Sequence, residues 1–347
     1  MILAGDIGGT STRLALYDWK SERVEPVREQ IFRSGEYKSL ETVLAEFLAP
    51  PPAASATDEP AVEPDQPADL SIEAACFGVA GPCVGNRCQT TNLPWVVDGT
   101  EVGRRINVPQ VRLLNDLEAT AYGVLVLRPD EITTLNKGVP PPQPAAMALI
   151  AAGTGLGEAM FCWEGSRYLP MASEGGHTDF GPNSDIEIDL LRYLRAQYLH
   201  VSYERILSGA GLHAIYEFLR DTKRNEPTWL AERLKAGDPP AVISEVGLGR
   251  QAEIAVQALD LFAAIYGAEA GNLALKALAL SGLYVGGGIA PKILPKLEEG
   301  AFMKNFTNKG RYKTLLSRIP VHVIMNDKAA LLGAASMAAR LRSATLT

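Results

Sequence analysis

The sequence predicts an α/β protein built from two domains. Its 347 residues are enough for two hydrophobic cores. Short apolar segments typical of buried strands are interspersed with segments of helical periodicity. One pattern, a strand followed by a Gly- and Thr-rich turn and a returning strand, occurs at 3–16 and again at 147–162. This internal repetition predicts a duplicated architecture with a ligand cleft between the two halves.

The composition is that of an ordinary globular protein. Hydrophobic residues make up 47% of the chain and charged residues 21%, which argues against intrinsic disorder. The formal net charge is −7, and an acidic balance argues against nucleic acid or an anionic membrane as a partner. The longest uncharged run, residues 138–157, is interrupted by four prolines, so it does not predict a membrane helix.

The cysteines and the N-terminus predict a cytoplasmic protein. Asp6 interrupts the first apolar run and no basic segment precedes it, so no signal peptide is expected. The cysteines are few and irregularly spaced, and none forms a C-x-x-C zinc pair. We therefore expect reduced thiols at all four positions, which are Cys76, Cys83, Cys88 and Cys162.

The turn in the opening stretch has the composition of a phosphate-binding turn. Gly8 and Gly9 allow close approach of the backbone to a ligand, and successive turn N–H groups can surround phosphate oxygens. Thr10 adds a hydroxyl group. Asp6 places a carboxylate at the end of a buried strand, where a Mg²⁺ ion or its water shell would explain it. Taken alone, a hairpin turn with a capping Asp explains the stretch equally well.

The first half continues with strands and short helices. A third strand is expected over 27–32, followed by a helix for which Ser39 is the N-cap. The Pro- and Ala-rich segment 50–68 has almost no large apolar residues and predicts a flexible surface insertion. A buried strand over 74–81 is expected to form a second hairpin with the returning segment 84–91.

Two polar residues follow the next buried strand directly. A short helix is expected around 99–106, then a strand over 111–114 that runs into Asn115 and Asp116 and a helix over 117–127. Ligands bind at the carboxyl ends of strands in open α/β sheets, so this pair is a candidate site. An N-cap role for Asp116 is the structural alternative, and the two roles are compatible.

The second half begins with a strand over 147–152, a Gly-rich turn and a strand over 159–162. Helices are expected over 185–198, 213–220, 251–279 and 329–341, with strands at 283–286 and 319–325. The chain contains no G-x-x-x-x-G-K-[ST] sequence and is therefore not a P-loop protein. Residues 247–252 fit a Rossmann fingerprint by count, but no convincing strand precedes them, so we interpret them as a helix start.

Six motifs together resemble the sugar kinase, actin and heat-shock ATPase superfamily, and within it the bacterial glucokinases of the hexokinase type. The resemblance covers nearly the whole chain and follows the family's order. Its motifs are Gly5–Leu16, Asn115-Asp116, Gly153–Gly157, Glu174–Phe180, Glu204–Gly209 and Gly286–Ile289. It implies a two-domain fold of the ribonuclease H-like, actin-like ATPase class, with a small domain of 1–127 plus 328–347 and a large domain of 128–327.

The resemblance implies a role for each motif. Asp116 is expected to be the catalytic base that faces the 6-hydroxyl of the sugar, where orientation matters more than basicity. The expected glucose ligands are Asn92, Asn115, Asp116, Glu174, His177 and Glu204. The expected nucleotide-binding residues are Gly5, Asp6, Ile7, Gly8, Gly9, Thr10, Gly153, Thr154, Gly155, Gly157, Gly287 and Gly288. Asp6 would hold Mg²⁺ through water.

The implied function is phosphorylation of glucose by ATP with Mg²⁺, in a homodimer without structural zinc. No cysteine cluster follows His177, as a zinc site there would need. For His177, a position in the core or behind the residues that contact the ligand remains an alternative, and for Glu204 a surface charge. A kinase for fructose, mannose or an N-acetyl sugar is the nearest alternative function. A non-kinase actin-like ATPase or a sugar sensor is the alternative of a different class.

Overall fold

The computed structural model describes residues 1–19, 22–49, 71–223 and 225–344. The described chain divides into two compact units. Unit 1 is Met1–Val126 with Lys328–Thr347, and unit 2 is Leu127–Asp327. The insertion predicted over 50–68 lies outside the described residues.

Both units contain short β-strands. In chain order these are β1 (Ile2–Ile7), β2 (Ser11–Tyr17), β3 (Arg28–Arg33), β4 (Ala74–Val79), β5 (Cys83–Val84), β6 (Arg87–Gln89), β7 (Val96–Asp98), β8 (Gln110–Asn115), β9 (Ile132–Asn136), β10 (Met147–Ala152), β11 (Leu156–Trp163), β12 (Tyr168–Ser173), β13 (Leu283–Gly286) and β14 (Val321–Ile324).

The α-helices are α1 (Leu40–Leu48), α2 (Gly99–Ile106), α3 (Asp116–Val124), α4 (Asp185–Arg195), α5 (Gly209–Lys223), α6 (Thr228–Ala236), α7 (Pro239–Leu248), α8 (Glu253–Ala277), α9 (Leu294–Glu298), α10 (Ala301–Thr307), α11 (Lys313–Ser317) and α12 (Ala329–Ala344). Short 3₁₀ helices occupy Ser34–Glu36, Pro129–Glu131, Gly175–His177, Tyr203–Arg205 and Gly310–Tyr312.

Unit 1 is a five-stranded sheet with helices on both faces. The strand order is β3-β2-β1-β4-β8, and successive residues of β1 point to opposite faces. Leu3 and Ile7 join the cluster that contains α1 and α2, whereas Ile2 and Ala4 join the cluster that contains α3 and α12. All six residues of β4 are buried, as expected for a parallel strand covered on both sides.

Unit 2 repeats this arrangement around a second sheet. Its strand order is β12-β11-β10-β13-β14-β9. The central strand is β1 in unit 1 and β10 in unit 2. On one side of it lie two strands joined by antiparallel pairing, β2 and β3 or β11 and β12, and on the other side lie two strands joined by parallel pairing, β4 and β8 or β13 and β14. The duplicated architecture predicted from the repeated strand, turn and strand pattern is therefore confirmed at the level of strand order.

Helix α8 is the central helix of unit 2. It is 25 residues long and apolar enough, by length and composition alone, to cross a bilayer. However, 78% of its most apolar window is buried within the protein, and the helix packs against α5, α7, α10 and β10. Its apolar composition is thus that of a core helix.

The second hairpin predicted for 74–81 and 84–91 is wrong. Both edges of β4 are occupied by parallel partners, β1 and β8. Strands β5 and β6 form their own antiparallel hairpin, which β7 extends to a separate three-stranded sheet. A strand that enters a crossover has the same composition as one that enters a hairpin, so the local sequence did not separate the two.

The expectation of reduced thiols is wrong for two of the four cysteines. Cys83 and Cys88 form a disulfide, with Cα atoms 4.1 Å apart. They lie directly opposite each other on β5 and β6, where facing Cβ atoms come close enough to be bridged. Cys76 and Cys162 are free thiols, and burial raises the pKa of Cys76 well above its usual range.

The helix start predicted at residues 247–252 is also wrong. Helix α7 ends at Leu248 with Gly249 as its C-cap. Arg250 has a positive φ of 52°, and α8 begins only at Glu253. Gly247 lies in the last turn of α7, where a Cβ would come within 2.7 Å of Ala255 and Leu259 on α8, and Gly249 ends the helix. Close packing of two helices and a helix end therefore explain a glycine spacing that resembles a nucleotide fingerprint.

Candidate active site

The first Gly-rich turn lies between β1 and β2 and is held by two buried hydroxyl groups. Ser34 Oγ donates a hydrogen bond of 2.8 Å to the Gly8 carbonyl, and the Ser34 N–H donates one of 3.0 Å to the Thr10 carbonyl. Thr12 Oγ1 lies 3.0 Å from Ser34 Oγ, and both side chains are fully buried. Because Ser34 and Thr12 hold the turn from its buried side, Gly9 remains partly exposed and Thr10 exposed, as a phosphate-binding turn requires.

Two residues predicted to bind nucleotide lie in the core beside this turn. A Cβ on Gly5 would lie 2.5 Å from Phe77 Cδ1, so packing alone explains the glycine. Ile7 is also fully buried. Any contact of these two residues with a ligand would have to come from their backbone.

The other predicted residues of unit 1 lie at the same edge of the sheet. Ile7, Val79 and Asn115 occupy paired positions on the parallel strands β1, β4 and β8, so Asp6 and Asn115 lie near the ends of strands in one sheet. Asn92 packs on the turn, because a Cβ on Gly9 would lie 2.7 Å from Asn92 Cβ.

The N-cap of α3 is Asn115. Its Oδ1 accepts a hydrogen bond from the Leu117 N–H (2.9 Å), and its Nδ2 donates to the Gly81 carbonyl (3.1 Å). Asp116 is the first residue of the helix and is exposed, although its Oδ1 also lies 2.9 Å from the Leu117 N. The capping alternative considered for Asp116 thus applies to its neighbour.

In unit 2, three of the predicted glucose ligands form one cluster. His177 Nε2 lies 3.9 Å from Glu174 Oε2, and His177 Nδ1 lies 3.8 Å from Glu204 Oε1. All three side chains are at least partly exposed, with Glu174 the most exposed at 87%. Two carboxylates and an imidazole provide both acceptors and a donor, which suits the hydroxyl groups of a polyol. The core alternative for His177 is wrong, because this side chain is 59% exposed.

Glu204 links this cluster to the second Gly-rich turn. Its Oε2 accepts a hydrogen bond of 3.0 Å from the Leu156 N–H, directly after that turn. A Cβ on Gly155 would lie 2.5 Å from the same oxygen, so glycine is needed for the carboxylate to approach. The alternative in which Glu204 is a surface charge is therefore wrong.

The remaining glycines predicted to bind nucleotide lie together. A Cβ on Gly287, which has a φ of +80°, would lie 2.2 Å from the Ala152 carbonyl oxygen, so the turn after β13 lies against the end of β10. Gly153 and Gly288 approach within 3.9 Å, measured from an ideal Cβ on Gly153 to Gly288 N. Thr154 is exposed in the same turn. Gly157 pairs with Ala151 in the ladder of β11 and β10.

A buried tyrosine that the sequence analysis missed joins these two turns. The Tyr266 hydroxyl accepts a hydrogen bond from the Ala152 N–H (3.2 Å) and lies 3.3 Å from the Gly286 carbonyl oxygen. It is fully buried, and burial raises its pKa well above the usual range. Ser34 and Thr12 were missed for the same reason. Tyr266 and Ser34 support their turns from distant parts of the chain, Thr12 contacts Ser34 from the start of β2, and a lone Tyr, Ser or Thr carries no local signal.

Among residues 1–19, 22–49, 71–223 and 225–344, no group of three or more His, Cys, Asp or Glu side chains is arranged to hold a metal ion. The Asp6 carboxylate at the end of β1 is of the oxygen type that Mg²⁺ prefers. A single carboxylate is compatible with an ion that keeps most of its water shell and is also held by a ligand's phosphates.

Comparison with solved structures identifies the class as sugar kinases of the actin-like ATPase fold. A glucokinase from an Antarctic psychrotroph matches with a TM-score of 0.79 and 28% identity, over 98% of each chain. A ROK family glucokinase from Streptomyces griseus, solved with glucose and AMPPNP, matches with a TM-score of 0.60 and 20% identity, over 98% of this chain and 99% of that one. This second similarity supports the fold alone. The predicted actin-like ATPase fold is confirmed.

The sequence comparisons are more specific. A family model described as Glucokinase matches residues 3–341. A glucokinase of Nostoc sp. is 41% identical over 356 residues, which cover 98% of this chain and 99% of the relative. The chain belongs to the glucokinase family, as its motifs predicted.

Proposed function

We propose that this chain transfers the γ-phosphoryl group of ATP to the 6-hydroxyl of D-glucose, giving ADP and glucose 6-phosphate. The observation that carries the proposal is the position of Glu204. Its carboxylate lies 3.8 Å from His177 and also accepts the Leu156 N–H at the second Gly-rich turn. One side chain thereby joins a cluster suited to a polyol and a turn suited to phosphate.

In this proposal Asp116 accepts the proton of the sugar's 6-hydroxyl while the hydroxyl oxygen forms a bond to the γ-phosphorus of ATP. The bond from that phosphorus to the β–γ bridging oxygen breaks, and ADP leaves with the electron pair. In a loose transition state the proton leaves late, so the base acts mainly by orienting the hydroxyl. The exposed position of Asp116 at the start of α3 is compatible with this role.

We propose Asn92, Asn115, Glu174, His177 and Glu204 as further glucose ligands. We propose the turns at Gly8–Thr10, Gly153–Gly157 and Gly287-Gly288 as nucleotide-binding, with a backbone contribution from Gly5, Asp6 and Ile7. Mg²⁺, when bound near Asp6, would neutralise phosphate charge.

We extend the proposal to a cytoplasmic homodimer. The family resemblance supports both points. The Cys83–Cys88 disulfide is typical of an oxidising compartment. The location is therefore tested by whether these two cysteines are reduced in the cell, as the cytoplasmic proposal requires. Light scattering of the purified protein tests the dimer, and a monomer at micromolar concentration would contradict it.

The activity is tested by following ADP release from Mg-ATP with a panel of sugars and a control without sugar. We expect release with glucose and little in the control. Release with fructose, mannose or an N-acetyl sugar instead would keep the chemistry and change the substrate. Equal release without sugar would indicate an ATPase, and glucose binding without any release would indicate a sensor. Both outcomes would refute the proposal.

A further inference from the structure

A buried carboxyl group lies directly beneath the turn that carries Glu174 and His177. Glu158, in β11, is 1% exposed, and a Cβ on Gly175 would lie 2.0 Å from Glu158 Oε2. The turn is also fixed to this strand through Ser173, whose Oγ donates to the Glu158 carbonyl (3.0 Å) and accepts the Gly175 N–H (3.2 Å). The turn is thus held against the β11 backbone through Ser173, with the Glu158 side chain packed directly against Gly175.

A second buried carboxyl group supports the segment that carries Glu204. Glu269, on α8, is fully buried and accepts a hydrogen bond of 2.8 Å from Asn272 Nδ2. The same Asn272 Nδ2 lies 3.1 Å from the hydroxyl oxygen of Tyr203, the residue directly before Glu204. Tyr203 is itself 4% exposed, so this segment is anchored in the core at Glu269.

Both carboxyl groups are buried in the same core, and the proximity of Glu269 raises the pKa of Glu158 through its charge and through a hydrogen bond between the two groups. Such a bond requires that one of the two groups holds a proton. Burial raises the pKa of Glu158, and the negative charge of Glu269 raises it further. Lys276 Nζ lies 3.2 Å from Glu269 Oε1 and compensates one negative charge. Glu158 Oε1 has no hydrogen-bond partner in the described part of the chain, so a second charge would be poorly compensated.

We propose that Glu158 and Glu269 share one proton and that the pair positions the glucose-binding residues. The Glu158 carboxyl group holds the turn of Glu174 and His177, and the Glu269 carboxyl group holds the segment of Glu204. The inference rests on the proposed function, because it takes these three residues to be glucose ligands. Neither buried group contacts the sugar in this proposal, so both are positioning residues.

Raising the pH removes the shared proton and weakens glucose binding. Two adjacent carboxylates out of contact with water repel each other, and Glu158 then moves against Gly175. If only the protonated pair holds the ligands in place, the Kd for glucose rises about tenfold for each pH unit above the pKa of the pair. Affinity is therefore full at lower pH and is lost on the alkaline side.

Other ionisable groups face the pair. Tyr203 and, from α8, Tyr266 have pKa values raised by burial, so both stay neutral through the tested range. Lys276 is the nearest cation. Lys309, which donates to Asn272 Oδ1 (2.6 Å), has a pKa lowered by burial, so its own loss of charge is a competing cause. A variant of Glu158 that leaves Lys309 unchanged separates the two.

The test is calorimetric titration of glucose into the full chain without nucleotide, from pH 6.5 to 10. Glu158→Gln keeps the shape of the neutral acid, and its amide can still donate to Glu269. We expect the wild-type Kd to rise at least tenfold across the range and the Glu158→Gln Kd to stay within about threefold. Glu187→Gln is the matched control. Glu187 is 5% exposed and accepts from the Asn183 N–H (2.7 Å), and we expect this variant to keep the wild-type pH profile.

The outcomes separate the inference from the function on which it rests. Absence of glucose binding by the wild type at every pH would overturn both. A wild-type Kd independent of pH, or the same pH profile in Glu158→Gln, would overturn the inference alone. A merely structural role of Glu158 would lower the Tm of the variant but leave its pH profile unchanged. If Glu158→Gln does not fold, Glu269→Gln replaces it and must also abolish the alkaline loss of affinity.

Discussion

Replacing Gly155 by alanine should weaken glucose binding without unfolding the protein. The new Cβ would lie 2.5 Å from Glu204 Oε2 and 3.3 Å from Glu204 Cδ. The contacted atoms are at the end of a flexible side chain, so the carboxylate moves and the backbone does not. Because Gly155 does not have a positive φ, the substitution adds no backbone strain.

The size of the effect follows from this geometry. Oε2 must withdraw by about 0.9 Å to reach an ordinary van der Waals contact of 3.4 Å. That movement stretches its 3.0 Å hydrogen bond from the Leu156 N–H beyond the useful range. A hydrogen bond to a charged group contributes about 1.5–3 kcal/mol. If Glu204 binds glucose, we expect the Kd to rise roughly tenfold to a hundredfold.

Two measurements check this reasoning. Calorimetric titration gives the Kd for glucose, and amide hydrogen exchange reports whether the Leu156 N–H has lost its partner. Gly153→Ala, in the same turn, is the comparison, because a Cβ there has no neighbour nearer than Gly288 N at 3.9 Å. We expect its glucose Kd to match the wild type. Equal Kd values for the two alanine variants, or unchanged exchange at Leu156 in Gly155→Ala, would refute the assigned role of Glu204.

Three further predictions follow from other parts of the molecule. Asp116→Asn retains an acceptor for the Leu117 N–H, so the start of α3 and the Kd for glucose should change little. Because the amide cannot accept the proton of the 6-hydroxyl, kcat should fall about 10²- to 10⁴-fold; near-normal turnover would remove Asp116 from the mechanism. Reduction of Cys83–Cys88, which closes a loop of only a few residues, should lower the free energy of unfolding in urea by about 2 kcal/mol; four free thiols before reduction would contradict the disulfide. The folded protein keeps a proton on Glu158 at pH values where the unfolded chain has lost it, so wild-type stability should fall relative to Glu158→Gln as the pH rises from 5 to 9; parallel stability curves would contradict this.

Most of the fold could be predicted from local patterns. Buried strands such as β10 and long helices such as α8 are defined by apolar periodicity, and their predicted positions are confirmed within a few residues. The pairing of strands depends on distant partners. The sequence near β4 therefore did not show that β1 and β8 flank it, nor that β5 and β6 form a separate hairpin.

The candidate site was predicted only where a residue type and its position in a turn coincide. The glycines and the polar residues at strand ends carry such a signal, and the structure brings Glu174, His177 and Glu204 together. The supporting residues carry none. Tyr266 lies 114 positions from Ala152, to which it is hydrogen-bonded, and Glu158 lies more than a hundred positions from Glu269. The burial that gives such groups their roles exists only after folding. A charged residue within the small, apolar residues of α8 was the available clue to Glu269.

The duplicated architecture explains why equivalent positions have different roles. In each unit the third strand of the sheet leads into a 3₁₀ helix, Ser34–Glu36 after β3 and Gly175–His177 after β12. In unit 1 this segment turns inward, and the buried Ser34 fixes the first Gly-rich turn through Gly8. In unit 2 it presents His177 to solvent, and support of the second Gly-rich turn comes instead from Glu204, on a later 3₁₀ helix. Because a carboxylate rather than a hydroxyl group performs that task, the turn and the polyol cluster share one side chain. In the proposed function, the binding of phosphate and of sugar would therefore be coupled in unit 2 through the contact of Glu204 with the Leu156 N–H, whereas Ser34 provides no such link in unit 1.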